Sequence, residues 1–236
     1  MDYLHQGGFP LVASANFDDK TTYSIVEDIY YSVVVNDITN KHKIQNTDLF
    51  NRVVKFVVEN VGETFSANSI VNFLKSEKRT ISVETIYNYL DWLEKAFVIY
   101  RAKRYDIKGK NVLKTQEKFY LADHSIKFAL YGFNSTSIAS VLENIVYIEL
   151  KRRGYDVYIG KYLDKEIDFV ATLREEKLYI QVCLSLPQTS DREIKNLVQI
   201  KDNFPKLIVT MDDFASGNVD GIKIVNIIDF LQNKNM

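Results

Sequence analysis

The sequence contains little cysteine, proline or tryptophan and has almost no net charge. Its 236 residues include one Cys, three Pro, one Trp, and 30 basic against 31 acidic side chains. A single cysteine excludes a disulfide framework and any zinc site built on cysteine. The formal net charge of −1 argues against a uniformly basic protein that binds polyanions, although a total can hide local patches. The length and the 46% hydrophobic content indicate a folded chain of one large domain or two small ones.

Three functional patterns are also missing. No apolar run approaches the ~20 residues that span a bilayer, and no basic and then apolar N-terminal region indicates secretion. Neither the G-x-x-x-x-G-K-[ST] phosphate loop nor the G-x-G-x-x-G loop occurs. We therefore expect a cytoplasmic protein without membrane contact, and we expect no ATP hydrolysis by this chain alone.

The first half of the chain is predicted to be mainly helical. Residues 1–47 are acidic, with three basic and six acidic side chains, and hold a predicted helix over 23–35. Apolar residues at helical spacing predict three further helices over 48–61, 67–74 and 82–97, the last two capped by Ser66 and Ser82. Two strands, 97–105 and 118–122, are predicted around a turn at 108–110. Three helices followed by a β-hairpin are typical of a winged helix.

The second half is predicted to be an α/β layer. The pattern gives a helix over 137–153, strands over 156–159, 166–172 and 178–184, and a helix over 191–203. Strands over 206–210 and 222–225 and a C-terminal helix follow. The predicted fold class is therefore α+β or α/β. Its predicted segments are a helical remnant at 1–47, a winged helix at 48–122 and an α/β domain at 123–236.

The hairpin is the most basic part of the sequence. Between Lys95 and Lys118 lie eight basic residues against Asp106 and Glu117, a local excess of six charges. Such a patch beside a helix-turn-helix pattern suits contact with the DNA backbone. The candidate nucleic-acid-binding residues are Arg101, Lys103, Arg104, Lys108, Lys110 and Lys114. The preceding helix carries Glu84, Asp91 and Glu94, which repel phosphate, so a purely structural winged helix with a solvated hairpin is an equal alternative.

The α/β half contains a pattern similar to a nuclease site. Glu143 on the long helix, Asp168 on one strand and Gln181 on the next could together hold Mg²⁺ or Mn²⁺ through oxygen atoms. This spacing matches the PD-(D/E)XK nuclease core, in which an acid and a lysine alternate on the last of these strands. Here Gln181 stands in place of the acid and Cys183 in place of the lysine. We therefore regard Glu143, Asp168 and Gln181 as a degenerate catalytic and metal site with little or no DNA cleavage.

Several other residues are weaker candidates. Lys177 or Lys195 could supply a displaced ammonium group, and Arg192 could contact phosphate. Glu149 falls at the centre of an apolar helical stripe, where an unpaired charge is costly, so it is either an ion-pair partner or a second site acid. His5, His42 and His124 show no metal-ligand spacing, and each is interpreted as a surface or hydrogen-bonded histidine.

Short stretches along nearly the whole chain carry a resemblance to a known family. They are YLHQGGFP (3–10), VNDI (35–38) with His42, TIYNYL (85–90), LEKAF (93–97), KFYLAD (118–123), LENIV (142–146), RRGY (152–155), EIDFV (166–170) and YIQV (179–182). In their order and spacing they resemble the C-terminal portion of bacterial and archaeal AAA+ ATPase-like proteins, which ends in a domain of unknown function.

The resemblance implies a winged helix followed by a PD-(D/E)XK nuclease-like domain. It also implies a P-loop ATPase domain before the GGFP stretch. Since this sequence lacks that domain, we expect a fragment or a truncated paralogue, and ATP would act only through an ATPase domain in cis or in trans.

Three functions remain open at this point. The chain is a DNA-associated module with an inactive nuclease-like site, a protein-interaction, regulatory or oligomerisation module, or a metal-dependent DNA endonuclease. The corresponding partners are duplex DNA, an ATPase domain or a second copy of the chain.

Overall fold

The protein is mixed α/β, as predicted, and forms two compact units. A computed structural model describes residues 2–186, 192–213 and 217–232. The helical unit comprises residues 1–101 and 118–136, and the sheet unit comprises residues 102–117 and 137–236. The predicted boundaries at 47 and 122 concern domain architecture and stay predictions. None of the helices in the described part of the chain is both long and apolar enough to cross a membrane.

The helical unit contains eight α-helices in the residues described. The elements from its first segment are α1 Asp2–Gln6, α2 Pro10–Ala13, α3 Asp19–Tyr30, a π-helix Tyr31–Ile38, α4 Thr39–Lys41, α5 Thr47–Glu59, β1 Thr64–Phe65, α6 Ala67–Ser76 and α7 Val83–Lys95. The chain then runs through β2 Ile99–Asp106 and β3 Asn111–Leu121, each with residues in both units, to α8 Ser125–Tyr131 and a short 3₁₀ turn, Ser135–Ser137.

Local chemistry explains where the main helices begin. The predicted caps are confirmed: the Ser66 side chain accepts the N–H of Ser69, and the Ser82 side chain accepts the N–H of Thr85. The apolar faces of α5, α6 and α7 build a dry core of fully buried side chains. Its members include Val53, Val54, Val58, Ile70, Leu74, Ile86 and Leu93.

The predicted helix over 23–35 is wrong in its second half. The α-helix ends at Tyr30 and continues as a π-helix to Ile38. A run of three β-branched valines at 33–35 disfavours regular α-helical turns, because such side chains crowd the preceding turn.

The GGFP stretch is fixed inside the helical unit by one carboxylate. Asp123 accepts the N–H of Gly8 at 2.7 Å on one oxygen, and the N–H and hydroxyl of Ser125 at 2.9 and 2.5 Å on the other. Gly7 has φ +75°, and a Cβ at this position would run into Asp123 and Ser125. Two of the stretches that carry the family resemblance therefore hold each other in place.

The sheet unit contains the helix–three strands–helix–strand order that the sequence predicts. Its remaining elements are α9 Ile138–Arg152, β4 Asp156–Tyr162, β5 Lys165–Leu173, β6 Glu176–Cys183, α10 Arg192–Val198, β7 Lys206–Thr210, β8 Gly217–Val219, β9 Ile222–Asn226 and α11 Ile227–Leu231. The sheet order in this unit is β2-β4-β5-β6-β7-β9-β8. Strands β4, β5 and β6 are antiparallel, β6, β7 and β9 are parallel, and the end of β2 pairs in parallel with β4.

Helices cover both faces of this sheet. Phe169 contacts Tyr147 of α9, whereas its neighbour Val170 belongs to a buried cluster with Leu197 of α10. Adjacent residues of a strand point to opposite faces, so α9 and α10 lie on opposite sides of β5.

Several predicted boundaries are wrong, including the end of β4, which lies at Tyr162 rather than at 159. The second hairpin strand starts at Asn111 rather than at 118, since the polar segment between them lacks the apolar alternation that marks a strand. Helix α10 ends at Val198 instead of 203. Its predicted start at Asp191 lies outside the described residues.

Candidate functional site

The sheet unit brings an acid and an amide together on neighbouring strands. The pairing of Phe169 with Ile180 places Asp168 of β5 beside Gln181 of β6. The N–H of Asp168 donates to Gln181 Oε1 at 3.3 Å, and the N–H of Val182 donates to Asp168 Oδ2 at 2.7 Å. Both side chains therefore already serve as acceptors for the backbone of the two strands.

The third predicted member of the site is on another element. Glu143 is half-buried on α9, which packs against β4, β5 and β6. Strand β5 has an irregularity between Ile167 and Val170, which both belong to the cluster with Leu197 of α10, so the alternation of faces is interrupted at Asp168. The convergence of Glu143 with Asp168 stays a prediction.

Cys183 supplies no positive charge to this site. Burial raises the pKa of its thiol to about 11, and the nearby carboxylates of Glu193, Asp168 and Asp212 act in the same direction. A hydrogen bond with Thr210 opposes this shift only in part. The thiol is therefore neutral at physiological pH, and no ammonium group stands at the position where the nuclease pattern has lysine.

Lys177 does not replace the missing lysine, and the prediction that it could is wrong. It pairs with Thr172, four positions before Gln181 and about 13 Å away along the strand. Its ammonium group instead lies over the rings of Tyr105 and Phe204, at 5.1 and 4.9 Å from their centroids. Lys195 is on α10 and remains a candidate, whereas the side chain of Arg192 lies outside the described part of the structure.

Asp168 and Gln181 by themselves do not make a nuclease metal centre. The Asp168–Gln181 pair contributes one negative charge, and each side chain has an oxygen that accepts a backbone N–H. Within residues 2–186, 192–213 and 217–232, no group of three or more His, Cys, Asp or Glu side chains is placed to hold a metal ion. Mg²⁺ is held in proteins by one or two carboxylates together with waters or substrate phosphates, so a site at this pair would draw on a further acid such as Glu143.

The basic hairpin divides into paired and exposed side chains. In the sheet unit Arg104 forms an ion pair with Glu166, and in the helical unit Arg101 Nε lies 3.1 Å from Glu94. Lys103 within β2 and Lys108 and Lys110 in the turn are exposed. The side chain of Lys114 lies outside the described residues.

Glu149 is an ion-pair partner, which confirms one of the two roles predicted for it. Its carboxylate, in a residue only 6% exposed, accepts hydrogen bonds from Arg152 at 2.7 Å and from Arg153 at 2.6 Å. Burial alone would raise the pKa of Glu149, but the hydrogen bonds from the two arginines outweigh burial and lower it. This charge therefore stabilises the end of α9 and is not a second site acid.

Sequence reasoning missed the acids around Cys183. Glu193 near the start of α10 and Asp212 just after β7 both act electrostatically on the thiol. The position of Asp212 could have been predicted, because it lies just after a buried parallel strand. Residues that follow the carboxyl ends of neighbouring parallel strands lie at the same edge of a sheet. Glu193 gave no such signal, because it follows a segment without a regular pattern.

The fold defines a mixed α/β protein with a helical unit and a sheet unit. The sheet unit carries the acid–amide pair Asp168–Gln181, and the residue at position 183 is a cysteine and not a cation. The chain belongs to the family described as domain of unknown function DUF8612, which matches residues 1–137. The matched region ends where α9 begins.

Two curated relatives are similar over nearly the whole chain. An uncharacterized protein of Haemophilus influenzae is 40% identical over 230 residues, which cover 98% of this chain and 57% of the relative. Uncharacterized protein MJ1544 of Methanocaldococcus jannaschii is 29% identical over 222 residues, which cover 90% of this chain and 49% of the relative. The chain thus spans about half the length of these relatives.

Proposed function

We propose that this chain is a nucleic-acid-binding module of an AAA+ ATPase-like protein and that its nuclease-like domain does not cleave. The observation that carries the proposal is a set of three exposed lysines on the β2–β3 hairpin, Lys103 within β2 and Lys108 and Lys110 in the turn. Exposed ammonium groups can each neutralise a DNA phosphate and release counterions.

The order of elements supports the two module assignments. Helix α5, strand β1, helices α6 and α7 and the β2–β3 hairpin follow one another as in a winged helix, with neighbouring strands in the order β1-β3-β2. The order α9, β4, β5, β6, α10, β7 is that of a PD-(D/E)XK core. The ATPase partner rests on the resemblance described above, and a chain that spans about half of its relatives is compatible with it.

The paired arginines sharpen the expected mode of binding. Arg101 and Arg104 already have carboxylate partners, so the lysines are expected to provide most of the phosphate contacts. Because α7 contains Glu84, Asp91 and Glu94, base readout by that helix is not expected. Binding should therefore depend strongly on salt and little on DNA sequence.

A salt-dependent anisotropy titration with a labelled duplex tests binding. Lys103→Glu, Lys108→Glu and Lys110→Glu combined should abolish binding at about 50 mM salt, and each lost phosphate contact lowers the salt slope by about 0.9. The matched control reverses three other exposed lysines, Lys20, Lys55 and Lys75, and should bind as the wild type does. Equal loss in both triple variants, or no binding by the wild type, would contradict the proposal.

A plasmid assay tests the absence of cleavage. With Mg²⁺ or Mn²⁺, the wild type should nick supercoiled DNA no faster than Asp168→Ala does. Faster nicking by the wild type would make the protein a metal-dependent endonuclease despite Gln181 and Cys183.

A further inference from the structure

A cavity of about 490 Å³ opens in the helical unit beside the last turn of α7. One wall comes from the π-helix and the residues after it, including Asp37, Ile38 and Lys41, and the other from Trp92 and Lys95. A volume of this size lies in the range of small-molecule sites. Neither the basic hairpin nor the acid–amide pair contributes to it.

The cavity is built by two of the stretches that carry the family resemblance. VNDI with His42 supplies one wall and LEKAF the other. The first of these lies at the end of an eight-residue π-helix, a rare geometry that occurs often at functional sites.

Aromatic rings form a flat surface in the cavity. His42 stacks on Trp92 with 4.0 Å between ring centroids and 10° between planes, and Tyr89 supports Trp92 at 5.5 Å. Both His42 and Trp92 line the cavity. A face of this kind can accept the planar ring of a ligand by stacking.

Two lysines and two aspartates meet at the same place. Lys41 and Lys95 are exposed at the rim, and Lys95 has an exposed partner, Asp91, at 2.7 Å. Burial lowers the pKa of His42, and the charges of Lys41 and Lys95 lower it further against the opposing effect of Asp91. A surface ion pair of this type is weak, so Lys95 can turn to a ligand anion at little cost. Asp37 offers an acceptor for ligand hydroxyl or amino groups.

We propose that this cavity binds a nucleoside monophosphate, with its base on the His42–Trp92 stack and its phosphate between Lys41 and Lys95. The dianionic phosphate matches two ammonium groups, and the stacked rings match a planar base. The site is independent of the hairpin lysines and of any chemistry at Asp168.

Trp92 is the only tryptophan of the chain, so its fluorescence reports directly on the cavity. Titration with AMP should give a saturable change, with a Kd at least about tenfold lower than that for adenosine or for inorganic phosphate alone. Calorimetry with the same three probes checks the affinities without the reporter. Competition with a 5′-phosphorylated oligonucleotide then identifies the source of the nucleotide. If the oligonucleotide displaces AMP, the site binds a nucleic-acid end, and if it does not, the site binds free nucleotides. Both results support the cavity as the site.

Charge reversal separates the site from nonspecific attraction. Lys41→Glu with Lys95→Glu should weaken AMP binding by about tenfold or more, whereas the control Lys75→Glu, on the exposed side of α6, should leave it unchanged. The triple hairpin variant should bind AMP normally even if it no longer binds DNA. Saturation by phosphate as tight as by AMP, AMP binding that survives the double reversal, or no saturation by millimolar AMP would each overturn the proposal.

Discussion

Two acidic side chains of the sheet unit, Glu149 and Asp168, have opposite electrostatic surroundings. Glu149 is buried and held by two arginines, whereas Asp168 accepts a backbone N–H and lies near further carboxylates around Cys183. A buried charge that has full ionic partners is a structural element. Asp168, near other acids and beside a neutral thiol at position 183, accepts the N–H of Val182 on the neighbouring strand.

The largest expected effect comes from Arg153. Its side chain is 9% exposed, pairs with Glu149, donates to the carbonyl of Phe230 and lies 4.4 Å from the centroid of the Phe230 ring. Arg153→Ala should lower the free energy of unfolding by about 3–5 kcal/mol, because it leaves the Glu149 carboxylate buried with only part of its compensation. Urea denaturation measures this loss.

Arg152 provides the matched control for this experiment. Its side chain binds the same carboxylate but is 62% exposed, so water can replace its contacts. Arg152→Ala should therefore cost only a small fraction of the Arg153→Ala loss. Equal losses would mean that the buried pair is no more important than the exposed one.

Acid should weaken the same cluster by a smaller amount. The pKa of Glu149 is lowered in the folded state, so its stabilisation is complete above the ordinary pKa of glutamate. The stabilisation is lost as pH falls through the lower, folded-state value. Glu149→Gln should be less stable than the wild type at neutral pH, and this difference should shrink below about pH 4. Thermal unfolding of both proteins from pH 7 to pH 3 checks it, and a constant difference would contradict the assignment.

The long helices and strands with a clear apolar pattern were predictable from the sequence. Elements whose conformation depends on tertiary contacts were not. Helix α9 and strand β7 lie within one or two residues of their predicted bounds, since apolar periodicity or a buried run specifies each of them. The first part of β3 was missed because its polar residues give no alternation. The π-helix was missed because no sequence period distinguishes it from an α-helix with crowded valines.

Of the candidate site, only the part that lies on neighbouring strands was predictable from the sequence. Asp168 and Gln181 could be paired from strand order, whereas the ion pairs of Arg101 and Arg104 could not. Glu166 is close to the hairpin only in the folded chain, and the turn after α7 decides whether Glu94 reaches Arg101. The stacking of His42 on Trp92 likewise joins residues 50 positions apart, and its histidine had been interpreted as a surface or hydrogen-bonded one.

Restoring the nuclease pattern should make the acidic cluster resemble a metal site. Gln181→Glu with Cys183→Lys adds a carboxylate beside Asp168 and an ammonium group among the acids that now surround the thiol. Saturating Mn²⁺ should then stabilise the variant by about 1–2 kcal/mol, while the wild type should not respond. The shift of Tm with Mn²⁺ measures this effect, and adding Asp168→Asn should remove it. A variant that ignores Mn²⁺ would show that Glu143 and the strand residues do not converge.

The smallest expected effect tests whether Asp168 now acts through its backbone contact. Asp168→Asn retains an oxygen that can accept the N–H of Val182 and should change the free energy of unfolding by less than about 1 kcal/mol. Asp168→Ala leaves that half-buried N–H without its acceptor and should cost about 1–3 kcal/mol. Urea denaturation of the pair compares loss of charge with loss of a hydrogen bond. If the asparagine variant is as unstable as the alanine variant, the negative charge itself stabilises this strand edge, and Asp168 would resemble Glu149 after all.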